Sequence, residues 1–456
     1  MGRKEAKAGG LYLFGNIFDK AIAFITVPIF TRMLSTSDYG YTTTYLSWVN
    51  ILTVIITLSL GNSIRSGVVD FKDKKDEYLS SVFALGTLSA VVITGLLSIA
   101  SIIAGKALPL QIVLLCCADA YAISILGTIK WRYMMEMKYV RRTLLQSVPN
   151  IIIIALSVLL ISNMENERYL GRIYANTIVS FILAIVYLFV YFLHGKTFYN
   201  KEYWKYALTF SLPLIFHSLS NVILSQADRT MITWLKNSSE TGIYGLAYQF
   251  GMLPLVITTT LENVWIPWFT RKLEQNDKKS INEMVKPYVT VVSIICMGVI
   301  LVAPEVLKFM TTPDYYSAVY IIAPVVLANF FMFLASVSID LEYYMKETKT
   351  IATNTVVAAI INIVLNYIFI PKYGAVAAAY TTVASYFVSF VMHYIFTKKI
   401  DSELFELKSY VPSVIVICVL TGLSYALMPF AIIRWCLGIA LGFVLILFGK
   451  RFFTIR

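Results

Sequence analysis

Apolar stretches of roughly 20 residues recur along the whole chain, separated by short polar gaps, and each is long enough to cross a hydrocarbon core about 30 Å thick. Backbone groups inside lipid must be hydrogen-bonded within their own segment, so these stretches are expected as helices. The pattern predicts about fourteen transmembrane helices, with twelve as the lower count. The first six cover 11–34, 43–66, 79–104, 108–129, 143–162 and 170–193; the next six cover 207–235, 242–265, 287–303, 319–341, 350–370 and 375–397. Two more follow at 409–428 and 431–449, parted only by the tight gap at Met428–Pro429. The expected fold class is an all-α polytopic membrane protein. It has an N-terminal six-helix lobe over 1–195, a second six-helix lobe over 196–400, and two additional C-terminal transmembrane helices over 401–456. No gap between spans has room for a soluble domain.

Composition agrees with that pattern. Of 456 residues, 58% are hydrophobic and 14% charged, against roughly 25% charged in soluble domains; mean hydropathy is +0.72. A net charge of +12 would suit a nucleic-acid binder, but its distribution argues otherwise. Lysine and arginine divide 28 to 8 between alternate sides of the predicted spans, counting those near span ends with the adjoining side; Lys20 and Arg229, both inside helices, are left out of the count. This is the positive-inside bias of a membrane protein whose N- and C-termini are cytoplasmic, and no nucleic acid is expected as a partner. The first apolar segment follows Arg3, Lys4 and Lys7, contains Asp19 and Lys20, and lacks a small-residue cleavage site, so a retained helix is expected. Ala6 stands where myristoylation needs Ser or Thr. The five cysteines, Cys116, Cys117, Cys296, Cys418 and Cys436, fall in apolar segments without metal-ligand spacing.

Polar residues inside spans are costly and concentrate on bundle interiors or aqueous cavities. The first helix bears Asn16, Asp19, Lys20, Ala23 and Thr26 on one face; the seventh bears His217, Asn221, Ser225 and Arg229, with Asp228 alongside; the eleventh bears Asn354, Ala358, Asn362 and Asn366. Such stripes either line a hydrophilic path or bond helix to helix. The first and seventh are expected to line a path, and the eleventh stays open between the two roles. A faint parallel repeat supports that pairing. Ser37-Asp38-Tyr39-Gly40 matches Ser239-Glu240-Thr241-Gly242 at an offset of 202, which also sets Asp19 on Asn221. Repeats of this kind place substrate between the halves.

Individual residues admit competing roles. Lys20 lies roughly 14 Å into its helix, too deep to snorkel, and could meet an anionic group or a carboxylate such as Asp119 or Asp19. Arg229 beside Asp228 suits a substrate contact or the outer interface. Arg32, Arg65, Glu262 and Asp340 fall near span ends, where interface and loop packing are common. His217 is a residue type suited in principle to proton coupling, although a single membrane histidine also serves as a plain hydrogen-bonding group. The 30 tyrosines and 28 phenylalanines supply an interfacial belt, including Trp131, Tyr133, Tyr199, Trp204, Trp265 and Trp268. Gly438 and Gly442 form a GxxxG packing motif.

Enzyme signatures are missing from the sequence: no GxxxxGK[ST], no HExxH, and only three histidines, His194, His217 and His393. A membrane polymerase or ligase needs a sizeable extramembrane loop, whereas the longest outer gap covers only 304–318. A transporter is expected, driven by an ion gradient or the membrane potential, with no cofactor.

Three sets of residues resemble the polysaccharide-export flippases, the O-antigen (Wzx-like) flippase family of the MOP superfamily, relatives of MATE multidrug transporters and lipid II flippases. The first runs from Gly15-Asn16 through Pro28-Ile29-Phe30-Thr31-Arg32-Met33-Leu34-Ser35 to Asp38-Tyr39-Gly40. The second is Asp228-Arg229-Thr230-Met231-Ile232 with Gly242-Ile243-Tyr244-Gly245-Leu246-Ala247-Tyr248; the third is Tyr373-Gly374-Ala375-Val376-Ala377-Ala378. The resemblance implies two six-helix lobes around a V-shaped cavity. It also implies movement of an undecaprenyl-diphosphate-linked oligosaccharide, such as an O-antigen repeat unit of lipopolysaccharide, to the outer leaflet. The implied surroundings are membrane lipids and glycan polymerase or glycosyltransferase partners. By position and charge, Lys20, Arg32, Arg65 and Arg229 are the candidates to receive the diphosphate, with Asn16, His217, Asn221 and Ser225 completing the substrate path. Asp19 departs from a purely cationic lining. With Asp119 and Asp228 it forms the candidate ion-coupling set, and deep carboxylates of that kind would equally suit a MATE-like cation antiporter. A lipid II or teichoic-acid precursor is the nearest alternative cargo.

Overall fold

The computed structural model describes residues 21, 22, 24–105 and 108–453, apart from the side chains of 217 and 447–453. Asn16, Asp19, Lys20 and the His217 side chain therefore lie outside the described residues. The described chain is helical throughout, without strands. In order it forms α1 (Val27–Met33), α2 (Thr36–Ile56), α3 (Ile64–Asp70), α4 (Lys75–Ala104), α5 (Leu110–Met135), α6 (Tyr139–Ser162), α7 (Tyr169–Gly195) and α8 (Lys201–Leu235). There follow α9 (Ser238–Gly251), α10 (Leu253–Glu274), α11 (Lys278–Met310), α12 (Val319–Tyr344), α13 (Thr348–Ile400), α14 (Val411–Leu427) and α15 (Ala431–Phe453). Among the described residues, seven helices are long and apolar enough to cross a membrane, or nine if each of two bent pairs makes one span. The chain divides into two compact units, Met1–Thr230 and Met231–Arg456.

In the first unit α5 is central, packing against α2, α4, α6 and α7 with Ala120, Ile125 and Ile129 sealed from solvent. In the second, α12 packs against α9, α10, α11, α13 and α14 and buries Val325, Val326, Phe330 and Leu334. The C-terminal α15 is fastened to α11 by Arg434. Its Nη1 and Nη2 donate to the two Glu305 carboxylate oxygens at 2.8 and 2.5 Å, and Nη1 also donates to Leu301 O at 3.1 Å.

The expected span 43–66 is broken rather than straight, 207–235 lies in a helix bent by 41° between Phe216 and Ser218, and 242–265 is divided between α9 and α10. After α2, Leu58 and Ser59 take left-handed φ values of 52° and 51°, and a 3-10 turn at Leu60–Ser63 leads into α3 across a 57° bend. Side chains satisfy the backbone there: the Ser59 hydroxyl donates to Val54 O at 2.7 Å. Between α9 and α10 the break falls at Met252, with Pro254 in the first turn of α10, where its missing N–H costs nothing. Asn329 Nδ2 donates to Gly251 O at 2.9 Å, filling a carbonyl the ending helix leaves open.

α13 covers 53 residues, which as one straight helix would reach roughly 80 Å, far beyond any bilayer. Gly374 interrupts it with φ 63° and ψ −147°, which separates the expected helices at 350–370 and 375–397. The half that follows is capped by Glu240, whose Oε2 accepts from Ala375 N at 2.7 Å. Asp38 and Glu240 thus share a first-turn position but not a role, because Asp38 instead closes a capping box with Ser35. A Cβ on residue 374 would collide with the Glu240 carboxylate, in a backbone region open essentially to glycine alone. Gly374→Ala should therefore cost about 1–3 kcal/mol, seen as a lower unfolding midpoint when a thiol-reactive dye reports exposure of buried Cys296. Glu240→Gln keeps an acceptor for Ala375 and should cost about 1 kcal/mol or less. A Gly374→Ala midpoint equal to that of the parent would refute the assignment.

Candidate functional site

Asp119 is fully buried in the first unit, where α2, α5 and α7 meet. Tyr45 Oη donates to its Oδ2 at 2.6 Å and Asn176 Nδ2 donates to the same oxygen at 2.9 Å. Thr177 Oγ1 lies 3.4 Å from the tyrosine hydroxyl and donates to Ile173 O. Oδ1 of Asp119 has no hydrogen-bond partner. A carboxylate with two donors on one oxygen and none on the other is chemically suited to hold a proton on the free oxygen or to exchange it. The sequence singled out Asp119 but missed Tyr45, Asn176 and Thr177. The signal for the last two was the adjacent polar pair at 176 and 177 within a predicted span.

On α8 the fold brings together Ser225 and Arg229. Arg229 is buried, and its Nη1 donates to Ser225 O at 2.6 Å and to Gln226 Oε1 at 3.1 Å. The Ser225 hydroxyl in turn donates to Val222 O at 3.0 Å. Asp228 is buried beside it, while Asn221 is exposed. Arg32 is exposed at the end of α1, donating to Pro28 O at 3.0 Å. Arg65, on α3, is also exposed, with its guanidinium 3.6 Å from the Trp131 ring centroid. A cation–π contact of this kind holds the cation in place while leaving N–H groups to bond an anion. Arg172 is held similarly, 4.3 Å from Phe30 and 5.5 Å from Tyr39.

Polar groups of the second unit are tied to one another. Asn354, Asn362 and Asn366 are all buried. Asn366 Nδ2 donates to Asn362 Oδ1 at 3.0 Å and Asn362 Nδ2 to Thr382 Oγ1 at 3.4 Å, while Thr381 donates to Asn366. The stripe that sequence left open between two roles thus joins the two halves of α13. Fully buried Glu342 and His393 form a further pair, with Nδ1 at 2.9 and 3.0 Å from the carboxylate oxygens. Glu262 and Asp340 also bond across helices: Ser336 Oγ donates to Glu262 at 2.9 Å and Trp265 Nε1 to Asp340 at 3.1 Å. No cluster of three or more His, Cys, Asp or Glu suited to a metal occurs among the described residues.

Charge outside the spans is organised around Glu136, which lies 2.9 Å from Lys75, 3.1 Å from Arg132 and 2.5 Å from Lys138. Burial alone would raise its carboxyl, but hydrogen bonds from Lys138 and Lys75 and the charge of Arg132 bring it down to about 2.

With this geometry in hand, known proteins can be compared. The family described as polysaccharide biosynthesis protein matches residues 6–273, and the MatE family matches residues 213–368. The "Lsg locus putative protein 1" of Haemophilus influenzae is 24% identical, over 60% of this chain and 67% of its own. The "Probable low-salt glycan biosynthesis flippase Agl15" of Haloferax volcanii is 21% identical, over 83% of this chain and 80% of its own. In structure, the lipid II flippase MurJ in an inward closed conformation superposes with TM-score 0.74, covering 98% of this chain and 99% of that one at 16% identity. An inward-facing MATE multidrug-resistance transporter gives TM-score 0.61 over 84% of this chain and 94% of that one, at 14% identity. Over 98% of its length the chain thus has the polytopic membrane fold of MurJ, shared over 84% with the MATE protein. The family match takes in more than half of the sequence, from before α1 to the end of α10: the chain belongs to the polysaccharide biosynthesis protein family.

Proposed function

We propose that this transporter flips an undecaprenyl-diphosphate-linked oligosaccharide from the cytoplasmic to the outer leaflet of a bacterial inner membrane by alternating access. The observation that carries the reading is the family match over 6–273, supported by the glycan flippase relative aligned along 83% of the chain. The basic loops and both termini face the cytoplasm in this reading. Lys20, Arg32, Arg65 and Arg229 receive the diphosphate, as the fixed guanidinium of Arg65 over Trp131 is suited to do. Asn16, His217, Asn221 and Ser225 complete the polar path. Asp19, Asp119 and Asp228 couple the movement to an ion gradient, Asp119 through its unpartnered oxygen. Glycan polymerases or glycosyltransferases are the fitting partners. A second reading, export of organic cations, is favoured by the MatE match over 213–368 and by the same buried carboxylate.

Fluorescence quenching in proteoliposomes tests both readings. A labelled undecaprenyl-diphosphate oligosaccharide should cross between leaflets only with protein present, and Lys20→Ala should slow crossing by about tenfold, the equivalent of one charge-assisted hydrogen bond. No crossing with or without an ion gradient, together with efflux of a cationic dye, would establish the second reading instead. Asp119→Asn should fold and still move substrate, but its rate should no longer rise with an imposed proton or sodium gradient. Retention of the full gradient response would remove Asp119 from the coupling set.

A further inference from the structure

In the first unit, α6 and α7 leave an open groove of about 710 Å³ between them. Leu144, Val148 and Ile152 line one wall at four-residue spacing, and Ile178, Ile182 and Val186 line the other in the same way. Each of the six is at least 43% exposed, so this apolar strip is uncovered by the protein. Pro149, inside α6, also lines it. From Arg141 to Ile152 the groove follows α6 for roughly 16 Å, about half of a hydrocarbon core of roughly 30 Å. That is the depth of one leaflet, the length of one acyl chain.

The groove is polar at one end only, where Arg141, Tyr133 and Tyr187 meet. Neighbouring cations are already engaged: Arg132 lies 2.6 Å from Asp76 and Lys138 lies 2.5 Å from Glu136. Arg141 is exposed, and among the described residues no carboxylate forms an ion pair with it. Tyrosines at such a level mark the boundary between hydrocarbon and headgroups, and Arg141 stands there as an unneutralised, phosphate-matching fork.

We propose that this groove binds an anionic glycerophospholipid from the leaflet on the side of the basic loops. One acyl chain lies along α6 and α7, and the phosphate bonds to Arg141. The site is independent of the transported cargo. A zwitterionic lipid would fill the same apolar strip, but its own cation would weaken the attraction to Arg141. Selectivity therefore comes from the charge, and occupancy from the strip.

Native mass spectrometry of the full chain, with phosphatidylglycerol and phosphatidylcholine of identical acyl chains, tests the assignment. The protein should retain phosphatidylglycerol about fivefold more than phosphatidylcholine, as expected for one basic side chain at an anionic surface. Arg141→Ala should abolish that preference, while Lys349→Ala, at a basic position outside the groove, should leave it intact. Ile182→Trp, which fills the strip without touching the charge, should reduce retention of both lipids. Unfolding midpoints equal to the parent's would show that each variant is folded. Equal retention of the two lipids by the parent, or a preference that survives Arg141→Ala, would overturn the proposal. So would displacement of phosphatidylglycerol by equimolar undecaprenyl phosphate, which would give the groove to a polyprenyl chain.

Discussion

Polar groups inside the hydrocarbon can draw hydrogen-bond partners only from the protein, because lipid supplies none. Local geometry meets much of this demand. Threonine hydroxyls donate back to the carbonyl four residues earlier, as Thr31 does to Val27, Thr53 to Val49, Thr177 to Ile173 and Thr355 to Ile351. Such bonds keep the hydroxyl inside its own helix and leave the outer surface apolar. Groups too large or too strongly charged for that solution draw helices together instead. Asp119 gathers α2, α5 and α7 around one oxygen; Arg434 holds α15 to α11; and the asparagines of α13 bind its two halves. In this fold the polar minority specifies which helices are neighbours, while the apolar majority supplies the packing.

The same demand governs where helices stop. Each break exposes backbone groups, and each has a side chain placed to take one. Ser59 serves the end of α2, Asn329 the end of α9 and Glu240 the restart of α13. Gly374 shows both sides of the constraint: its positive φ permits the turn, and its lack of a side chain leaves room for the Glu240 carboxylate. Breaks of this kind, tolerated only where protein rather than lipid surrounds them, are where transporters place movement and binding.

How much of this was legible beforehand depended on distance along the chain. Spans and their polar faces rest on spacings of three, four and about twenty residues, and sequence displays such spacings directly. Gly374 between two apolar runs was visible as a boundary. The bend after Ile56 and the helix boundary at Met252 were not, because apolar residues continue across them and only the left-handed φ values at Leu58 and Ser59 and the placement of Pro254 reveal the break. The partner of Arg434 was not legible either, because Glu305 is 129 residues away. Asp119 was legible as an anomaly, but Tyr45 and Asn176, 74 and 57 residues distant, were not legible as its donors.

The sequence by itself determined the class of molecule: a helical, multi-pass membrane protein. It did so because a polypeptide in lipid has no other way to satisfy its backbone over stretches of roughly 20 apolar residues. It also marked the residues that lipid would not tolerate. Tertiary structure alone decided what those residues meet, since hydrogen bonds between helices join positions that no periodicity relates. It turned the eleventh-helix asparagines into a joint between the halves of α13, gave Arg65 a tryptophan to lie on, and left Arg141 at the mouth of an apolar groove.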